Sequence, residues 1–260
     1  MKLSENLEKF RKFLETIPLE KYREEFKNVK WVEQDLPNEL LPIDSIFKYY
    51  WEDKNFLSFE EWFEIFWDNI HRNEKSKEAL KKFKSYYFNK SIDENGWFKR
   101  GFKARIYRTW ISVLTQLDFC YTFEYVNSKL NKSLTIDCDA ELDLKGIDAR
   151  VNNVEFQIKK ISHRKEAIRG ASKRKNFVQV PYAVFDIRQI EEKANNPRTR
   201  NREKYQNMLD TFHRYFEILK NGFVVFSEEY LTLVIENIDD VEKLRKEIQQ
   251  LHRKLMGEPQ

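Results

Sequence analysis

The chain has 260 residues, of which 41% are hydrophobic, 15% aromatic and 35% charged, and its formal net charge is +4. This length and this share of aromatic residues are sufficient for a packed core, which excludes a disordered chain. No apolar run approaches the roughly 20 residues that cross a bilayer and no signal peptide is evident, so we expect a cytoplasmic protein with Cys120 and Cys138 reduced and buried.

The first half of the chain is predicted to be helical from its apolar spacing. We expect helices over residues 4–14, 18–26, 75–87 and 96–130, and a short helix that ends near residue 51. Ser58 and Glu61 form the capping-box pattern that begins a further helix. That helix carries an aromatic stripe that we assign to core packing, namely Trp62, Phe63, Phe66 and Trp67.

After residue 130 the hydrophobic period changes from 3.6 to 2, which predicts strands. They cover residues 134–138, 147–151, 154–160, 178–186 and 223–227. Helical patterns follow residue 162, extend from about 202 to 220, and begin again at 239. The sequence therefore predicts an α/β fold, in which a core of residues 131–260 and a helical part of residues 1–130 form one compact domain.

The segment from Gly146 to Lys159 is predicted to be a β-hairpin, because Asn152 and Asn153 suit a two-residue turn. This turn would place Val151 opposite Val154, Arg150 opposite Glu155 and Asp148 opposite Gln157. One face of the hairpin would then be apolar. The other face would carry Asp148, Arg150, Glu155, Gln157 and Lys159.

That polar face has the groups that phosphodiester hydrolysis requires, namely oxygen ligands for a hard cation and a basic group near the phosphate. Asp148 followed by Gln157-Ile158-Lys159 resembles the PD-(D/E)xK nuclease superfamily. The resemblance implies that superfamily's mixed central β-sheet and a Mg²⁺ ion held by Asp148 and Gln157. Gln157 lacks the charge of the usual second acid, and the acids that could compensate are Asp143, Glu155, Glu60, Glu61 and Glu64. An ordinary solvated face is the alternative interpretation.

Basic residues are grouped in three places, as expected for a protein that binds a polyanion. Residues 159–175 contain eight basic residues against one acid, and residues 97–108 contain five and no acid. The third group follows Pro197 and consists of Arg198, Arg200, Arg202 and Lys204. The candidate DNA-contacting residues are Arg105, Arg108, His163, Arg164, Lys165, Arg169, Lys173, Arg174, Arg198, Arg200 and Arg202. Solvated helix faces, or salt bridges to the acidic N-terminal region, are the alternatives for each group.

The chain also resembles the TaqI family of type II restriction endonucleases. The resemblance is carried by residues 32–40 (VEQDLPNEL), 49–51 (YYW), 58–61 (SFEE), 66–67 (FW) and 101–109 (GFKARIYRT). It implies a homodimeric, Mg²⁺-requiring enzyme that cuts a short palindrome, which in that family is TCGA. Asp143 and Asp148 resemble the family's paired active-site aspartates.

The basic residue of the implied site is either Lys159 or Lys165, and the hairpin register favours Lys159. Asp143 and Asp148 are an odd number of residues apart, so they would face opposite sides of an unbroken strand. A bend at Gly146 would bring them to one side, and without it Asp143 is structural.

The function predicted from these features is that of a type II restriction endonuclease, which cuts both strands of a DNA duplex. A cognate DNA methyltransferase is expected to be encoded nearby. Two alternatives stay open. One is a structure-specific nuclease of DNA repair or recombination, and the other is a DNA-binding protein without catalysis.

Overall fold

The computed structural model describes residues 2–27, 29, 36–87, 97–161, 176–183 and 187–258. It divides into two compact units, the first formed by Met1–Arg11 and Asp118–Gln260 and the second by Lys12–Leu117. The boundary at residue 130 that the sequence suggested stays a prediction. Among the described helices, none combines the length and the apolar character that crossing a membrane requires.

In the residues that the structure describes, all regular elements of the second unit are helical. They are α1 (Lys2–Thr16, which begins in the first unit), α2 (Leu19–Phe26), α3 (Ile43–Phe47), α4 (Phe59–Arg72), α5 (Glu74–Tyr87) and α6 (Trp97–Lys129, which ends in the first unit). A 3₁₀ turn lies at Asn38–Leu40, and α3 continues as a π-helical turn, Lys48–Glu52. These bounds agree with the predicted helices to within about two residues, apart from the short ones around Ile43.

Aromatic side chains form the core of the second unit. Trp62, Phe63 and Phe66 of α4 are buried, which confirms the predicted packing face, whereas Trp67 is half-buried. The ring of Phe59 lies 5.2 Å from that of Trp110 on α6, so aromatic contacts join α4 to α6. Large rings of this kind bury much apolar surface each and stabilise the packing of these helices.

The capping box at the start of α4 is present as predicted. The Ser58 Oγ accepts a hydrogen bond from the Glu61 amide, and the Glu61 carboxylate accepts one from the Ser58 amide at 3.0 Å.

Replacing Ser58 with alanine is expected to lower the free energy of unfolding by about 1 kcal/mol, because one helix-end amide loses its acceptor. Denaturant unfolding measures this change, and an unchanged free energy of unfolding would contradict a stabilising role for the pair.

The first unit contains the sheet. Its elements are β1 (Ile136–Asp137), α7 (Ala140–Leu144), β2 (Ala149–Val151), β3 (Val154–Ile161), β4 (Phe177–Ala183), α8 (Ile187–Asn195), α9 (Arg202–Tyr215), β5 (Phe216–Ile218), β6 (Val224–Phe226), α10 (Glu228–Glu236) and α11 (Val241–Leu255). The four-stranded sheet has the order β1-β2-β3-β4, and β5 pairs with β6. The pairs β1–β2 and β2–β3 are antiparallel and β3–β4 is parallel, so the sheet is mixed, as predicted.

Two parts of the second half differ from the prediction. The helix predicted to reach residue 220 ends at Tyr215, and Phe216 begins β5. The reason is tertiary: residues 216–218 pair antiparallel with β6, and this pairing overrides the helical pattern. The short helices α7, α8 and α10 were not predicted, and the helix predicted after residue 162 lies outside the described residues.

A buried ion pair fixes β6 within the first unit. Asp118 on α6 is fully buried, and its carboxylate accepts a hydrogen bond from the Phe226 amide at 2.7 Å. Arg11 on α1 lies 3.5 Å from the same carboxylate and donates to the Phe226 carbonyl at 2.5 Å. The two charged side chains therefore satisfy both backbone groups of one strand residue, as buried polar groups require.

Candidate active site

The predicted hairpin is present as β2 and β3. Val151 pairs with Val154 and Arg150 with Glu155, which confirms the predicted register next to the turn. Asn152 has a φ of +51°, a conformation that asparagine tolerates better than most residues. Ala149 and Phe156 are fully buried, so the apolar face packs into the core as expected.

The predicted pairing of Asp148 with Gln157 is wrong. The β2–β3 ladder ends at the pair Ala149–Phe156, and the Asp148 amide donates to the carbonyl of that same Phe156 at 2.8 Å. Two consecutive residues of one strand thus face a single residue of the other, which is the arrangement of a β-bulge. The bulge turns the Asp148 side chain along β3, where its carboxylate accepts a hydrogen bond from the Ile158 amide at 2.5 Å.

Asp148 is buried, and burial raises the pKa of its carboxyl group from 3.8 to about 7. The Ile158 amide lowers this pKa, whereas the negative charge of Asp143 raises it further. Ionised Asp148 is therefore disfavoured by desolvation and by a second carboxylate. A divalent cation at this position would reverse both effects, so the residues present fit a metal ion.

Asp143 reaches this site from α7, because the chain turns sharply between the two aspartates. The Ile147 amide donates to the Leu142 carbonyl at 3.0 Å, and the Gly146 amide donates to the Asp143 carbonyl at 2.8 Å. This hydrogen-bond pair is a Schellman motif, and Gly146 occupies its left-handed position with a φ of +73°. The predicted bend at Gly146 is thus a helix C-cap, and Asp143 lies on a helix instead of a strand.

Gln157 is held by two hydrogen bonds on opposite sides of β3. Its Nε2 donates to the Gly146 carbonyl at 3.4 Å, on the side of β2. Its Oε1 accepts from Gln179 Nε2 at 3.2 Å, on the side of β4, where Gln179 is its partner in the parallel ladder. The side chain of Gln157 therefore directs its amino group, and not its carbonyl oxygen, towards the turn between Asp143 and Asp148.

Gln179 is a residue at the site that the sequence did not identify. The only signal was a polar residue between the apolar Val178 and Val180 of a strand. Its Oε1 is buried and has no hydrogen-bond partner among the described residues, a state that costs about 1–3 kcal/mol for a neutral acceptor. An acceptor of this kind is usually satisfied by an ordered water molecule.

Lys159 lies two residues beyond Gln157 on β3, at the position that pairs with Pro181 of β4. Its side chain is half-buried and forms no hydrogen bond or ion pair with the residues that the structure describes. The competing Lys165 lies outside the described residues. Glu155, also on the polar face, is half-buried and pairs with Arg150 and Phe177 in the two ladders.

The glutamates proposed to complete the metal site have other partners within the second unit. Glu60 accepts a hydrogen bond from Lys103, and Glu64 accepts one from Lys99 at 2.8 Å. Glu61 is the capping-box residue. Among the residues described, no cluster of three or more His, Cys, Asp or Glu side chains has the spacing of a metal site. The two carboxylates that lie near one another in the first unit are Asp148 and Asp143.

The candidate DNA-contacting residues fall into three groups. Arg105 is half-buried and donates to Thr109 at 3.2 Å, Arg108 is exposed, and neither forms an ion pair with a described residue. The exposed residues Arg198, Arg200 and Arg202 lie on or beside the loop between α8 and α9, as the sequence predicted for a loop. The third group lies outside the described residues and consists of His163, Arg164, Lys165, Arg169, Lys173 and Arg174.

Comparisons with known proteins show which family the chain resembles over most of its length. Residues 7–238 match the model of a family described as TaqI restriction endonuclease. The chain is 34% identical over 239 residues to the type II restriction enzyme TaqI of Thermus aquaticus, covering 86% of this chain and 85% of that protein. It is 35% identical over the same length to the type II restriction enzyme TthHB8I of Thermus thermophilus, with the same shares covered. No solved structure matches the chain.

Proposed function

Because the chain belongs to the TaqI restriction endonuclease family, we propose that it cuts both strands of a short palindromic DNA duplex with Mg²⁺ as cofactor. The family membership supplies the reaction class of a site-specific deoxyribonuclease. The structural observation that supports the assignment of the site is the buried Asp148 beside Asp143, at the end of a hairpin that also bears Lys159.

Asp148 and Asp143 are the residues that would hold the cation. Mg²⁺ prefers carboxylate oxygens and keeps several waters, so two carboxylates leave room for water and a phosphate oxygen. The ion supplies Lewis-acid stabilisation of the charge that develops on the phosphate. The Ile158 amide fixes the Asp148 carboxylate, and the Schellman turn at Gly146 fixes the approach of Asp143. These contacts support a site that is organised before the substrate binds.

Lys159 is proposed to orient the attacking water or to stabilise charge on the phosphate, as a cation on the polar face of β3. Lys159→Ala is expected to lower kcat by about 10²- to 10³-fold, the usual effect of removing one group that stabilises a transition state. Steady-state cleavage of a duplex substrate measures the change. Lys145→Ala is the matched control, since this exposed lysine pairs only with Glu141 in the described residues and is expected to cut normally. Full activity in Lys159→Ala would contradict the assignment.

A plasmid digest tests the proposed function against its two alternatives. With Mg²⁺, discrete fragments support a restriction enzyme, whereas progressive smearing indicates a repair-type nuclease without base readout. An intact plasmid together with a salt-sensitive gel shift indicates a DNA-binding protein without catalysis. The matched reaction contains EDTA, in which cutting is expected to stop.

The remaining parts of the proposal concern the partners. We place the protein in the prokaryotic cytoplasm. We also propose that it is a homodimer, because the two-fold symmetry of a dimer matches the two-fold symmetry of a palindrome. The sequence TCGA is the recognition site that family resemblance favours, and a protecting methyltransferase gene is expected nearby. Arg198, Arg200 and Arg202 are exposed on or beside a loop, which suits contacts with phosphates or base edges.

A further inference from the structure

Two glutamine amides form a hydrogen-bonded row across three elements of the first unit. Gln179 Nε2 donates to Gln157 Oε1 at 3.2 Å, and Gln157 Nε2 donates to the Gly146 carbonyl at 3.4 Å. The row runs from β4 across β3 to the turn that separates Asp143 from Asp148. Its direction is set at one end, because the Gly146 carbonyl can only accept a hydrogen bond.

The orientation of Gln157 depends on Gln179. An amide has a donor end and an acceptor end, and Gln157 can satisfy Gly146 only when its amino group faces β2. Gln179 favours that orientation by offering a donor to the opposite, carbonyl end. The parallel register supports the contact, because Gln157 and Gln179 are direct partners in the β3–β4 ladder.

The Gly146 carbonyl that receives this row belongs to the turn that sets the distance between the two aspartates. Gly146 and Gln157 are neighbours: a Cβ atom built on Gly146 would lie 3.9 Å from Gln157 Nε2, at ordinary van der Waals distance. We infer that Gln179 is a positioning residue of the nuclease site, which acts through Gln157 to hold the Gly146 turn and thereby the two aspartates. This inference rests on the proposed function and adds to it a residue with no direct contact to the carboxylates.

The inference also assigns a use to the buried Oε1 of Gln179, which has no hydrogen-bond partner in the part of the chain that the structure describes. A buried acceptor at the end of such a row is usually satisfied by an ordered water molecule. Gln157 then serves as a donor to the turn. This role differs from that of a metal ligand, for which its carbonyl oxygen would have to face the aspartates.

The test uses Gln179→Leu, which keeps the approximate volume and removes both polar ends. Residues that orient metal ligands without binding the metal typically contribute a factor of about 10 to 100 in metal affinity or activity. We therefore expect kcat for a duplex substrate to fall by about that factor with KM unchanged. Gln179→Met keeps the length of the side chain but lacks the donor, so it is expected to fail in the same way. Gln206→Leu, at an exposed glutamine that donates to Asp210, is the matched control and is expected to behave as wild type.

A double variant identifies the route of the effect. If Gln179 acts through Gln157, then Gln157→Leu combined with Gln179→Leu cuts no more slowly than Gln157→Leu alone. Full multiplication of the two single effects would overturn the inference, as would a Gln179→Met variant with wild-type kcat. Gln157→Glu separates the two roles of that residue. If Gln157 is a metal ligand, the variant keeps its nuclease activity; if Gln157 is a donor to Gly146, the variant loses it.

Calorimetric titration of Mn²⁺ into the free protein gives a readout that does not depend on cutting. We expect the affinity of Gln179→Leu to be about tenfold or more below that of wild type, with the Gln206→Leu affinity unchanged. Equal affinities in wild type and Gln179→Leu would overturn the inference even if the protein cuts no DNA. Absence of cutting by wild type, by contrast, counts against the proposed function and leaves the titration to decide the role of Gln179.

Discussion

Replacing Asp148 with asparagine is expected to reduce DNA cleavage by at least about 10³-fold while the protein stays folded. The cation that this carboxylate would hold supplies several kcal/mol of charge stabilisation, and each 1.4 kcal/mol corresponds to a factor of ten in rate. Asparagine keeps an oxygen that accepts the Ile158 hydrogen bond. It also removes a buried charge, so the free energy of unfolding is not expected to fall.

Single-turnover cleavage and thermal unfolding of the same preparation measure the two effects. Glu141→Gln is the matched control, because this exposed carboxylate lies on α7 close to Asp143 and pairs only with Lys145 in the described residues. It is expected to cut as fast as wild type. If Asp148→Asn cleaves DNA at a rate within tenfold of wild type, Asp148 is not part of the proposed metal centre.

Arg11→Ala is expected to lower the free energy of unfolding by about 3–5 kcal/mol at neutral pH. The change leaves the carboxylate of Asp118 buried without its cation, and an unpaired buried charge is strongly destabilising. Burial already raises the pKa of Asp118 from 3.8 to about 6, and the charge of Arg11 opposes this rise. Without Arg11, the pKa is expected to rise further above 6.

The sign of the pH dependence follows from these pKa values. Because the pKa of Asp118 is higher in the folded protein than in the unfolded chain, the protonated group stabilises the fold below about pH 4. This stability is lost as the pH rises through the folded value. The loss in Arg11→Ala is therefore expected to be smaller at pH 4.5 than at pH 7.5.

Urea unfolding at the two pH values measures this difference in stability. Adding Asp118→Asn to Arg11→Ala removes the buried charge and is expected to recover part of the loss at pH 7.5. Lys9→Ala is the control on the same helix, since its exposed pair with Glu5 contributes little. An equal loss for Arg11→Ala at both pH values would show that the ion pair is not its cause.

Features with a strong local signal were predictable from the sequence. The long helix α6, the capping box at Ser58 and the two longest strands follow from periodicity and from residue chemistry that acts over a few positions. The turn at Asn152 also fixed the first pairs of the hairpin, since a short loop determines register. Asp148 itself lies immediately before β2, beyond the last of these pairs.

Features that depend on one hydrogen bond or on distant partners were not predictable. The bulge at Asp148 leaves the alternation of residues 149–158 unchanged, so no pattern reveals it. Helix α7 has five residues, too few for a helical period to appear, although Gly146 did mark its end. The contact of Gln179 with Gln157 depends on the register of two parallel strands, which no short turn determines.

The central claim is that this chain is a site-specific, Mg²⁺-dependent endonuclease with its centre at Asp148. Its most direct test is to digest a plasmid of known sequence with wild type and Mg²⁺, and then to sequence the fragment ends. The predicted result is that every end carries the same short sequence and a 5′-phosphate, and that Asp148→Asn yields no ends. Ends of unrelated sequence, or equal cutting by Asp148→Asn, would contradict it.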